Sequence, residues 1–164
     1  MQNAIQTPGY KMSASTRNFS ELNGTNGFTI NGIDTYDESG RSVSSAGDVN
    51  GDGIDDLIIG ASGAADPDGN TSAGESYVVY GSDTRSAAAL DLSDLDGTNG
   101  FTINGIDEFD GSGYSVSSAG DVNGDGIDDL IIGASGAADP DGNTSAGESY
   151  VVYGSDTRSA AALD

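Results

Sequence analysis

The chain has 164 residues and contains no cysteine, no histidine and no tryptophan. Without cysteine there is no disulfide framework and no thiolate chemistry. Without histidine the commonest general base and the usual zinc ligand are missing, and neither a Ser-His-Asp nor a Cys-His site can be built within one chain. Basic residues number 5 against 27 acidic ones, for a formal net charge of -22. That balance argues against nucleic acid, whose phosphates need Lys and Arg, and against anionic membrane surfaces. It points to a cation as partner, or to solubility alone. No apolar run approaches the roughly 20 residues of a membrane span. Met1 to Ser15 is polar and lacks the apolar core of a secretory signal.

What is abundant is glycine, 26 residues, and it recurs at fixed places. Leu22 to Asp91 reappears as Leu95 to Asp164, an offset of 73 residues, with 5 differences in 70 positions. These are Asn23/Asp96, Thr35/Glu108, Tyr36/Phe109, Glu38/Gly111 and Arg41/Tyr114. Copies this similar are expected to share one structure and one ligand. They point to a recent duplication or to an engineered or selected fragment. The organisation expected is an N-terminal extension over 1–19, a first repeat over 20–91 and a second over 92–164.

Each copy carries four strand signals. Leu57-Ile58-Ile59 and Tyr77-Val78-Val79-Tyr80 are short β-branched and aromatic runs between Gly and Asp, matched by Leu130-Ile131-Ile132 and Tyr150-Val151-Val152-Tyr153. Continuous apolar runs of this length suit strands covered on both faces. Phe28-Thr29-Ile30 and Phe101-Thr102-Ile103 read as outer strands before Asn-Gly turns. Ser42 to Val49 and Ser115 to Val122 are rich in small residues, as a crowded innermost strand would be. Ser86 to Leu90 is the one helix-like stretch, too short to matter. Four short strands per unit, both sheet faces buried, predict an all-β fold of β-propeller blades, two per chain. A β-sandwich or β-solenoid is the structural alternative; the former should alternate apolar and polar residues more cleanly.

The chemistry concentrates in Asp48-Val49-Asn50-Gly51-Asp52-Gly53-Ile54-Asp55-Asp56 and its copy, Asp121 to Asp129. Oxygen side chains at loop positions 1, 3, 5 and 9 can converge on one ion if the backbone curls, and Gly at position 6 permits the bend. The predicted ligands are Asp48, Asn50, Asp52, the Ile54 carbonyl and Asp56, and in the second copy Asp121, Asn123, Asp125, the Ile127 carbonyl and Asp129. This hard-oxygen set favours Ca²⁺, about one per repeat, over zinc or copper, and over Mg²⁺, which prefers a rigid octahedron with retained waters. The bland reading is a polar hairpin turn with solvated carboxylates. Asp66-Pro67-Asp68-Gly69-Asn70 with Glu75, and Asp139 to Asn143 with Glu148, read more simply as surface loops than as further ion sites. Asp34, Asp37, Asp107 and Asp110, ahead of the inner strands, either add charge near the site or solvate a connection.

At these residues the chain resembles a known family. Gly-x-Ser-Val-Ser-Ser-Ala-Gly-Asp-Val-Asn-Gly-Asp-Gly-Ile-Asp-Asp-Leu-Ile-Ile-Gly-Ala, followed by Ser-Tyr-Val-Val-Tyr-Gly, is similar to the FG-GAP repeat, which builds the propeller of integrin α subunits and of many bacterial surface proteins. The likeness covers about residues 20 to 164. Two departures touch packing and turn shape: Ser39-Gly40 and Ser112-Gly113 stand for the Phe-Gly of the motif, and Gly60-Ala61-Ser62 and Gly133-Ala134-Ser135 for its Gly-Ala-Pro. The resemblance implies Ca²⁺ on Asp48, Asn50, Asp52 and Asp56 and on their second-copy counterparts, and an extracellular or cell-surface address.

The expected function is a non-catalytic calcium-binding propeller serving in assembly and adhesion-like interaction. The alternative is a carbohydrate-binding propeller, for which an exposed aromatic platform is wanted. Tyr114 is a weak candidate, with Arg41 in its place in the first copy, and Tyr77, Tyr80, Tyr150 and Tyr153 read better as core. No catalytic residues are assigned. Strand counting adds an expected partner, the chain itself. Phe101-Ile103 should close the first blade, whereas the second blade lacks an outer strand and Phe28-Ile30 lacks a blade. A head-to-tail ring resolves both, with a tetramer of eight blades favoured over a trimer of six.

Overall fold

The computed structural model describes residues 18–138, 141, 143–157 and 162–163. Apart from residues 18 and 19, the expected N-terminal extension lies outside the described residues. Ten strands follow in order: β1 (Thr29–Asn31), β2 (Ser42–Gly47), β3 (Asp56–Ala61), β4 (Glu75–Val79), β5 (Ala89–Asp91), β6 (Gly100–Asn104), β7 (Ser115–Gly120), β8 (Asp129–Ala134), β9 (Glu148–Val152) and β10 (Ala162–Leu163). Two single 3₁₀ turns, Phe19–Glu21 and Leu92–Asp94, are the helical elements among the described residues. The fold is all-β, and its antiparallel sheets are laid out as propeller blades.

In the first blade β2, β3, β4 and β6 form an antiparallel meander. The outer strand β6 comes from the second repeat, so Phe101-Ile103 closes the first blade as strand counting expected. A fifth strand, β10, lies parallel on the far side of β6. The second blade has three strands, β7-β8-β9. The remaining pair, β1 with β5, is parallel and forms a separate two-stranded sheet. Ser86 to Leu90, helix-like in sequence but too short to matter, ends as a strand: Ala89–Asp91 is extended and pairs with β1. The first blade has the four antiparallel strands expected per unit, and β10 adds a fifth, parallel strand at its outer edge. In both cases a parallel partner about 60 residues away in sequence decides the conformation.

The blades pack face to face. Ala46, Val49, Ile58, Val78 and Tyr80 of the first meet Val116, Leu130 and Ile132 of the second, and Phe101 and Ile103 of β6 close the same core. The Tyr80 and Phe101 rings lie 6.0 Å apart at a 58° tilt, a spacing typical of favourable aromatic pairs. On the opposite face of the first blade, Ile59, Tyr77 and Val79 pack against Leu92, with Ile30, Leu90 and Leu95 alongside. The β1–β5 pair therefore flanks the first blade where a neighbouring blade would present its outer strand. The small residues of β2 and β7 allow the two inner strands to run side by side, and the Val116 amide donates to Ser42 Oγ across the gap at 3.0 Å.

Candidate calcium loops and the blade junction

Each candidate loop bridges the innermost strand and the next. Before it the β2·β3 register slips by one residue between Ser45 and Gly47, a bulge of the kind that re-aims a strand end. Gly51 and Gly53 then adopt φ of 74° and 86°, the left-handed region that glycine enters without a Cβ penalty. These two residues let the loop curl so that its side chains turn inward. Asp48 Oδ1 accepts from the Asp52 amide at 3.0 Å and its Oδ2 from the Gly53 amide at 2.9 Å. Asn50 Oδ1 accepts from the Asp52 amide at 2.9 Å, and Asp52 Oδ1 from the Ile54 amide at 2.8 Å. The second loop repeats the pattern around Asp121, Asn123 and Asp125.

Asp56 and Asp129 are placed differently. Both are buried. Asp56 accepts from the Val49 amide at 3.0 Å and, across the blade, from the Gly81 amide at 2.8 Å. Asp129 does the same with Val122 and Gly154. The carboxylate that closes the predicted ligand set thus staples its own loop to the end of β4 or β9. Burial pushes the Asp56 carboxyl up to about 6, the Gly81 and Val49 amides pull it down, and the charges of Asp52 and Asp48 raise it further. Ile54 and Ile127 fold their side chains against Gly81 and Gly154, where a Cβ would meet each isoleucine Cγ2 at 2.5 Å.

Among the described residues no three acidic side chains are gathered so as to hold a metal ion. The donor chemistry nevertheless fits a hard cation. Asp48, Asn50 and Asp52 offer carboxylate and amide oxygens within one tightly wound loop, where the Asn50 Nδ2 donates to Asp52 Oδ2 at 3.1 Å. A carboxylate has about four lone-pair sites, and Asp48 and Asp52 each use two on hydrogen bonds within the loop.

Asp66 accepts from both the backbone and side-chain nitrogens of Asn70, at 2.8 and 2.7 Å, and these bonds hold its carboxyl below the ordinary 3.8. That stretch is a turn closed by its own Asp66 and tied by Asn70 Nδ2 to the Ile106 carbonyl at 3.4 Å; of its second-copy counterpart, Asp139, Pro140 and Gly142 lie outside the described residues. Asp37 and Asp110 accept from the amides of Asp34 and Asp107 and so fix the turns leading to the inner strands.

Two features went unread in the sequence. Asp128 Oδ2 accepts from the Asp48 amide at 3.0 Å, and the Asp128 and Ser155 amides donate back to the Asp48 and Val49 carbonyls. The first loop is thereby braced by the second blade. The other feature is where the copies differ. Tyr36, Glu38 and Arg41 share one surface cleft with Phe109, Gly111 and Tyr114, so three of the five divergent positions meet there. Arg41 pairs with Glu38 and lies 4.8 Å from the centre of the Tyr114 ring. Tyr36 and Phe109 are exposed with φ of 74° and 70°, an uncommon conformation for aromatic residues. Of the tyrosines expected in the core, Tyr77 and Tyr80 are there, whereas Tyr150 is half-buried and Tyr153 exposed.

The sequence pattern of the FG-GAP repeat matches residues 39–79 and 112–152, together half the chain. The chain belongs to the FG-GAP repeat family. Integrin alpha-PS2 of Drosophila melanogaster is 33% identical over 136 residues, which is 81% of this chain and 9% of the integrin. Integrin alpha pat-2 of Caenorhabditis elegans is 34% identical over 103 residues, 63% of this chain and 8% of its own length. Phosphatidylinositol-glycan-specific phospholipase D of Bos taurus is 35% identical over 120 residues, 73% of this chain and 14% of the enzyme. The chain thus spans a small part of the length of each of these relatives. No helix among the described residues is long and apolar enough to cross a membrane.

Proposed function

We propose that this chain is a non-catalytic, calcium-binding propeller module that serves as an adhesion or interaction scaffold outside the cell or at its surface. In this reading copies of the chain complete the ring. The observation that carries it is the pair of FG-GAP loops whose oxygens are turned inward by their own amides. Asp48, Asn50 and Asp52, with the Ile54 carbonyl and Asp56, would hold the first ion; Asp121, Asn123, Asp125, the Ile127 carbonyl and Asp129 would hold the second. The ion supplies positive charge among clustered carboxylates and so converts their repulsion into stabilisation. The kinship with integrin α chains supports the interaction role, and the absence of His and Cys removes the commonest catalytic groups. Calorimetric titration tests the reading: the wild type should bind about two Ca²⁺ per chain, and Asp52→Ala with Asp125→Ala should remove most of the heat. A wild type that gives neither heat nor a melting shift with Ca²⁺ refutes it.

The cleft of divergent positions favours a second reading, a carbohydrate ligand. It offers exposed aromatic rings beside an Arg–Glu pair, the combination of apolar platform and polar neighbours that suits sugars. A glycan array on which binding disappears with Tyr114→Ala supports it, and an array without any binding rejects it.

A further inference from the structure

The two repeats are an internal control, because identical residues sit in different surroundings. Val78 is 0% exposed and its equivalent Val151 is 48% exposed. Tyr80 is buried and Tyr153 exposed. On the opposite face the asymmetry reverses: Val116 is 8% exposed and its equivalent Val43 is 65% exposed. The surface that the first blade uses to receive the second is repeated, uncovered, on the second blade. The surface that the second blade uses is repeated on the first with Val43 and Leu57 uncovered, whereas Ile59 is already covered by Leu92 and the β1–β5 pair. Large apolar patches of this kind mark interaction sites.

The strands are unbalanced in the same way. On the first blade β4 holds β6, which holds β10. The equivalent of β4 is β9, whose outer edge has no partner strand among the described residues. The equivalent of the β6–β10 pair is β1–β5, which joins no blade sheet among the described residues. We propose that the β1–β5 pair of one chain seats on β9 of a second copy, in the register that β6 shows on β4, while the apolar faces of the two chains stack as the blades stack within one chain. The proposal rests on the reading that copies complete the ring, and it supplies the joint. Shifting the observed Glu75↔Asn104, Ser76↔Ile103 and Tyr77↔Thr102 pairs by one repeat gives Glu148 opposite Asn31, Ser149 opposite Ile30 and Tyr150 opposite Thr29 of the next copy.

A glycine argues for the same occupant. A Cβ on Gly60 would lie 2.0 Å from the Gly113 carbonyl oxygen of the second blade, so this residue must be glycine for the blades to approach. Its equivalent Gly133 meets only Ser115 within the chain, the nearest atom being the rotatable Oγ at 2.9 Å. Gly133 is explained if the Gly40 carbonyl of a second copy takes the place of Gly113. Because the contact is head-to-tail and each copy adds two blades, the ring closes on an even number of blades: four copies are expected, and three would also close.

The chain has no cysteine, so engineered thiols report the joint cleanly. Residues directly opposite in antiparallel strands bring their Cβ atoms within about 5 Å, which a disulfide can span. Under oxidation Asn31→Cys/Glu148→Cys should give covalent multimers ending at the closed ring, whereas Asn31→Cys/Ser149→Cys, one residue out of register and on the opposite face, should not. Gly133→Ala should reduce the native mass from four chains to one while leaving the β-sheet circular dichroism in place. A multimer whose disulfides form in the shifted register, or in neither, overturns the joint and leaves self-assembly standing. So does assembly of Gly133→Ala at the wild-type concentration. A wild-type native mass of one chain at micromolar concentration overturns the joint and the ring together, while the calcium titration stands as a separate readout.

Discussion

Ile58 and Ile131 occupy the same position in the two repeats, with identical neighbours in sequence, yet Ile58 is 0% exposed and Ile131 39% exposed. Truncation to alanine removes three carbons in each case. At Ile58 the loss falls in the closed core between the blades, so the transfer and cavity costs add and about 2–5 kcal/mol is expected. At Ile131 about three-fifths of the residue is covered and no closed cavity forms. At about 0.8 kcal/mol per buried carbon, the cost there is about 1.5 kcal/mol. A difference of 1 kcal/mol moves the melting temperature by roughly 2–4 °C in a chain of this size. The Gly133→Ala background, expected to be single-chain, is therefore the place to measure both variants by thermal or urea unfolding, with Ile58→Ala the more damaging. In the proposed assembly Ile131 would become as buried as Ile58, and the two costs in the wild type should converge on the larger value. Equal costs in a protein whose native mass is one chain would show that inter-blade burial does not set the stability of these strands.

Two other perturbations have signed outcomes. Chelation should lower the melting temperature at neutral pH, since an ion at a hundred times its dissociation constant contributes about 2.7 kcal/mol per site; a chelated protein that melts with the calcium form would make the ions incidental. Glu75 has its carboxyl raised above 4.5 chiefly by burial, then by Asp37, Asp66 and Asp34, with the Tyr77 hydroxyl opposing through the hydrogen bond that it donates. A raised folded value favours the protonated chain, so this contribution is fully present below pH 4.5 and lost as pH rises through the raised value; Glu75→Gln should flatten that decline, and an unchanged pH profile of stability would refute the assignment.

The blade strands were legible because their signal is local. Leu57-Ile59 and Tyr77-Tyr80 are β-branched and aromatic runs between turn residues, and they lie within β3 and across β4. Ala89–Asp91 was not legible: Ser86-Ala87-Ala88-Ala89-Leu90 has good helix formers, and the partner that makes its end a strand is β1, 60 residues earlier in the chain. The loop oxygens at Asp48, Asn50 and Asp52 followed from spacing and from glycines that permit the curl. The work of Asp128 did not, since Asp48 is 80 residues away and one aspartate in an acidic loop looks like any other. The divergent positions were visible as differences, but their meeting in one cleft depends on how the two blades sit side by side.

Asp128 also makes the two candidate loops unequal in a single chain. The Asp48 amide is held by the Asp128 carboxylate, and the Val49 carbonyl by the Ser155 amide, both from the second blade. The second loop has the same sequence, but its bracing residues would be Asp55 and Ser82 of a following blade, and no such brace lies among the described residues. A loop held in its curled shape loses less conformational freedom when it binds an ion, so the first should bind Ca²⁺ more tightly than the second in the isolated chain. On assembly, Asp55 and Ser82 of the next copy would supply the missing braces and the two affinities should become equal. By reciprocity, whatever factor assembly adds to calcium affinity at the second loop, calcium adds to assembly. Titration of the Gly133→Ala protein should accordingly resolve two affinities, and titration of the assembled wild type one, with Asp125→Ala removing the weaker site in the former. Two equal sites in a protein of single-chain mass would show that the brace does not tune the loop, and would uncouple the ion from the ring.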